Sequence, residues 1–114
     1  MWAPALVAGV IATAILFFLL SRWPDTPDGW LHLQRTRALS ESFRYGVIYP
    51  RWFPHFSFAY GYPVLNYYAP AFYYPPAILA RLGVDVVAAV RICLAAGYGI
   101  SAMAMYILLR SRAG

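Results

Sequence analysis

Residues 1–20 read MWAPALVAGVIATAILFFLL and contain no charged side chain. At about 1.5 Å of rise per residue, such a run crosses a hydrocarbon core of about 30 Å. Ile11, Ile15, Leu16, Phe17, Phe18, Leu19 and Leu20 leave no face built for water. Pro4 falls in the first turn, where its missing N–H costs nothing. A cleavable signal peptide is the competing reading, and it calls for basic residues before the run and a small-x-small cleavage site after it. No Lys or Arg precedes the run, and Ser21-Arg22-Trp23-Pro24 follow it, so an uncleaved first span over 1–20 fits better.

A second apolar stretch, 86–109, reads VVAAVRICLAAGYGISAMAMYILL. Its one charge, Arg91, lies near the start, where a long stem can carry the guanidinium to the headgroups. Arg110 and Arg112 follow in the short tail 110–114, a basic flank of the kind retained on the cytoplasmic side. Ala95 and Gly99, and likewise Gly97 and Ser101, are spaced to admit another helix closely, although Ala and Gly are also simply common in membrane helices. With the tail inside, the segment 21–85 is expected outside the cytoplasm. Its six arginines run against that orientation, but charge bias acts mainly through shorter loops. A third span over 62–82 competes with this topology; Pro63, Pro70, Pro75, Pro76 and Asn66 count against it. The expected fold is therefore all-α and integral to the membrane: two transmembrane helices joined by a long extracytoplasmic loop with interfacial helices.

Composition agrees. Of 114 residues only 11% are charged, against roughly 25% in an ordinary soluble domain, while 62% are hydrophobic and 18% aromatic. All nine basic residues are Arg, set against three Asp and one Glu. The arginines are scattered between apolar runs, which argues against a nucleic-acid face despite the basic balance. The single cysteine, Cys93, excludes an intrachain disulfide, and no Cys/His cluster has zinc-ligand spacing.

Within the loop, Thr26-Pro27-Asp28 reads as a helix start: a capping hydroxyl, a proline suited to the first turn, and an acid at the positive end of the dipole. The pattern predicts a helix over about 27–45, with Gly46 as its stop. Asp28, His32 and Arg35 then form one polar stripe, with Trp30, Leu33, Leu39 and Phe43 as apolar surface elsewhere, an arrangement suited to the interface. From Phe43 to Tyr74 there are fourteen aromatic residues in 32, interleaved with prolines. The segment 46–82 is thus expected to be stiff and irregular, with a sharp turn at Gly61 and a short helix restarting at Pro75-Pro76. An interfacial aromatic belt without a site is the plainer reading of it.

Asp28 is the candidate acid–base residue or ligand for a divalent cation (Mg or Mn); a helix-dipole role explains it equally simply. His32, one turn on, is placed to orient it, and Arg35, Arg37 and Arg51 can grip a phosphate or merely attract anionic lipid. There is no Walker-type loop, no Gly-x-Gly-x-x-Gly after a strand and no hydrolase constellation, and Arg91 alone offers no transport pathway.

Asp28-Gly29-Trp30-Leu31-His32, Gly46-Val47-Ile48-Tyr49-Pro50-Arg51-Trp52 and Tyr60-Gly61-Tyr62-Pro63-Val64-Leu65-Asn66-Tyr67-Tyr68-Ala69-Pro70 resemble the start of large bacterial membrane proteins labelled 6-pyruvoyl-tetrahydropterin synthase-related. The layout also resembles the amino-terminal part of the GT-C superfamily of glycosyltransferases, which use polyprenyl-phosphate-linked sugars; there a motif like Ala88-Ala89-Val90-Arg91 lies near the second span. The pterin label implies no pterin chemistry, since only His32 and His55 are present. The GT-C resemblance implies that Asp28 is the catalytic or metal-binding acid, with the arginines facing the lipid-phosphate leaving group. Members run to several hundred residues, and the paired acidic motif of some relatives is absent because Gly29 follows Asp28. The expectation is the amino-terminal portion of a GT-C-like enzyme of cell-envelope glycan assembly in the plasma (inner) membrane. Catalytic Asp28 and His32, and phosphate-binding Arg35 and Arg51, would be completed by further transmembrane helices or a partner chain. The alternative is a non-catalytic small membrane protein or truncated fragment that binds a partner through the Ala95/Gly99 face and the aromatic cap.

Overall fold

A computed structural model describes residues 3–22 and 26–113, and what is described is helical, without a strand. Five α-helices follow one another: α1 (Ala3–Leu20), α2 (Pro27–Arg44), α3 (Val64–Tyr67), α4 (Tyr74–Arg81) and α5 (Val86–Ala113), with a 3-10 turn at Pro70–Phe72 before α4. Contacts divide the chain into two compact units, Met1–Arg22 with Arg91–Gly114, and Trp23–Val90.

α5, which belongs to the first unit from Arg91 onward, is the described helix long and apolar enough to cross a membrane; only 6% of its most apolar window is buried. Its start is fixed by Asp85, whose carboxylate accepts from the Val87 and Ala88 amides at 3.0 and 3.2 Å. The described part of the first apolar run, α1, has 18 residues and a length of about 27 Å, a shorter apolar helix than α5; Met1 and Trp2 lie outside the described residues, so the expected span over 1–20 is not described in full. The Phe18 and Tyr98 rings meet at 4.8 Å, and a Cβ built on Gly99 would sit 3.6 Å from Ile15 Cδ1. The Gly99 position is therefore occupied by α1, whereas Gly97 has nothing within 4 Å.

The second unit builds a core of its own. Thr26 caps α2 by accepting from the Gly29 amide at 3.0 Å, with Pro27 entering the first turn as the sequence predicts. At its other end Gly46, at φ 75°, adopts the left-handed cap; its amide reaches Phe43 O and that of Val47 reaches Ser42 O, closing the last turn. α4 ends in the same pair of bonds, from Gly83 to Ala80 and from Val84 to Leu79. Gly29, Leu33, Thr36 and Leu39 recur at helical spacing as the buried stripe of α2, and α2 packs against α4. Leu39, Phe53, Val64, Leu65, Tyr73 and Ala77 form one core, so Leu39 faces the protein interior, while Trp30 stands exposed.

The stretch between α2 and α3 is a loop closed on itself. Phe53 and Tyr62 exchange two amide bonds of 3.1 Å, and the Gly61 amide reaches Phe56 O at 2.9 Å. Gly61 sits at φ 83°, and a Cβ there would overlap the Trp52 indole, so a glycine is required twice over. At the apex Ser57, Phe58 and Ala59 all take left-handed conformations, φ 52, 56 and 70°. Each costs about 1–2 kcal/mol for a residue with a Cβ.

Candidate functional site

His32 and Arg35 lie three residues apart on α2, hence on one face. Tyr73, 2% exposed, enters between them from the junction of the 3-10 turn and α4. Its hydroxyl stands 2.9 Å from His32 Nδ1 and 3.1 Å from Arg35 Nη1. Arginine only donates, so the Tyr73 oxygen accepts from Arg35, and the same hydroxyl is hydrogen-bonded to His32 Nδ1. The Arg35 guanidinium also lies 3.9 Å from the centre of the Tyr68 ring, a cation–π contact. Burial alone would lower the Arg35 pKa, but hydrogen bonds to Tyr73 and Tyr68 outweigh it, and the pKa lies above the ordinary arginine value. Arg35 is thus a held, permanently charged cation.

Arg35 forms part of the wall of an open cleft of about 400 Å³ in the second unit, together with His55, Gln34, Ser57, Tyr62 and Tyr68. Among the described residues no carboxylate lines this cleft. A cation, neutral hydrogen-bonding groups and aromatic faces suit an anion attached to a group that can lie against rings. A second cleft of about 640 Å³ shares Gln34, His55 and Phe56 with the first, but it carries Glu41 beside Arg37.

The expected site residues separate. His32 and Arg35 come together, through a tyrosine that sequence spacing did not single out. Asp28, one turn before His32, is exposed and lines neither cleft, and no hydrogen bond of its side chain is found among the described residues. Arg51 is exposed between Pro50 and Trp52 and likewise lines neither cleft. Among the described residues no group of three or more His, Cys, Asp or Glu could hold a metal ion. Tyr68, Tyr73 and His55 were not singled out as site residues; the only cue to them in the sequence is the density of rings, which names no particular one. No family model, curated protein or solved structure matches the chain.

Proposed function

We propose that this chain is the amino-terminal portion of a GT-C-like bacterial membrane glycosyltransferase, taking sugar from a polyprenyl-phosphate carrier during cell-envelope glycan assembly. In this reading α1 and α5 are two spans of the plasma (inner) membrane and the intervening unit is extracytoplasmic. The observation that carries it is Arg35, clamped by Tyr73 and Tyr68 at the wall of a cleft without carboxylates. A guanidinium so held stabilises the negative charge that develops on a phosphate as the sugar departs, without having to reorganise at that moment. Asp28, open to solvent at the start of the same helix, takes the acceptor hydroxyl's proton. His32 keeps Tyr73 in place, and Arg51 contributes charge near the headgroups. Further helices, from a longer polypeptide or a partner chain, close the site against water.

The test is Asp28→Asn and Arg35→Gln in the longest reading frame that carries this sequence, assayed for sugar transfer from a lipid-phosphate donor. Transfer is expected to fall at least about 100-fold for each. Unchanged turnover in Asp28→Asn rejects the role of that acid. The alternative of a non-catalytic membrane protein draws on the open Gly97 and exposed Ser101, a surface free to meet another helix. It predicts that Gly97→Leu abolishes co-purification of a partner.

A further inference from the structure

We propose that the loop closed by Phe53 and Tyr62 docks into the headgroup layer of an anionic lipid leaflet, with Phe58 as its inserted tip. The proposal rests on the membrane reading above and adds to it the element that touches lipid.

The first support is the loop's shape. Three consecutive left-handed residues hold Phe58 at 100% exposure, and Tyr60 beyond them is 85% exposed. A strained backbone persists only where its surroundings over-determine it. Here the restraints are visible: the paired amides of Phe53 and Tyr62, the Gly61 bond to Phe56 O, the Tyr60 bond to Ser57 O, and the Trp52 indole against Gly61. The apex is therefore a stiff mount that presents an aromatic ring outward, with its ordering entropy already lost on folding. Exposed apolar side chains scattered singly are ordinary, but a ring that lines the Arg35 cleft and is carried fully exposed on a backbone held at conformational expense calls for an apolar destination.

The second support is charge. From Ser42 to Val84 the chain holds Arg44, Arg51 and Arg81 and not one Asp or Glu; Arg44 is paired with the flanking Glu41 at 3.5 Å, so the positive charge of the segment rests on Arg51 and Arg81. A segment of one sign, rich in rings, complements a layer of anionic phosphates. The third support is the kind of ring beside the tip. Trp52 and Tyr60 are both more than half exposed and combine an apolar body with a hydrogen-bonding edge, the pairing that favours the boundary between headgroups and acyl chains.

The test places an environment-sensitive fluorophore at Phe58→Cys in the full chain carrying Cys93→Ala, reconstituted into phosphatidylcholine vesicles with and without phosphatidylglycerol. The expected result is a blue-shifted emission, quenched several-fold more by nitroxide on the upper acyl chain than by aqueous acrylamide, and more strongly with phosphatidylglycerol present. Tyr60→Cys supplies a second site should the Phe58 variant fail to fold. Acrylamide quenching as complete in vesicles as in the unfolded chain overturns the proposal. Shielding from both quenchers also overturns it, because a protein segment then covers the loop, and so does indifference to phosphatidylglycerol. Sugar transfer by Asp28→Asn is read in a separate assay, so failure of the docking and failure of the enzymatic reading are distinguishable.

Discussion

The two units of the chain treat their apolar side chains in opposite ways. Of the ten buried apolar residues described, nine lie in Trp23–Val90, and only Ala95 lies in the unit made of α1 and the rest of α5. Yet the latter is the greasier, with Leu6, Val10, Phe17, Leu20, Ile100 and Leu109 all more than 60% exposed. The loop unit, crowded with prolines and arginines, satisfies itself as a small globular protein does, around Leu39 and its neighbours. The helical pair leaves its apolar surface uncovered, and α5 within it is long and apolar enough to cross a membrane. Composition thus sets the two regions apart, and burial identifies which one is built around its own interior.

This contrast can be broken by substitution. Leu39→Ala, at a fully buried position, is expected to cost about 3 kcal/mol of unfolding free energy, read by denaturant titration in mild detergent. Gly61→Ala combines a left-handed φ with overlap on the Trp52 ring and is expected to cost about 2 kcal/mol, accompanied by a change in Trp52 fluorescence. Tyr73→Phe keeps the packing but leaves His32 and Arg35 without their shared hydroxyl; about 1–2 kcal/mol should be lost, and Nδ1 of His32 should shift in the nitrogen NMR spectrum. Leu16→Ala, in contrast, removes an exposed side chain of α1 and should change stability in detergent by less than about 0.5 kcal/mol. Equal losses for Leu16→Ala and Leu39→Ala would erase the distinction between the units.

Where the fold was legible in the sequence, the cause was local. Thr26-Pro27 and Gly46 fix the ends of α2 through one hydroxyl, one ring and one left-handed turn, and each can be read without knowing the rest of the chain. The helix at Pro75-Pro76 and the turn at Gly61 belong to the same class. The left-handed run at Ser57, Phe58 and Ala59 could not be foreseen, because none of these residues favours that conformation; closure by Phe53 and Tyr62 imposes it. The site was legible by half. Helical spacing pairs His32 with Arg35, but Tyr73 joins them across about forty positions of chain, a distance over which no periodicity speaks. Arg51, grouped with Arg35 by charge alone, lines neither cleft, although Pro50 and Trp52 on either side of it line the second.

The carboxylate of Asp85 fixes where α5 begins, and therefore where everything along it falls. Arg91 and Arg110 stand nineteen residues apart on that rod, about 28 Å, close to the thickness of a hydrocarbon slab. On the proposal that α5 spans the bilayer, the two guanidinium groups act as graduation marks on a dipstick: a thicker or thinner slab is met by tilting the rod, because the spacing of its marks is set by the helical rise.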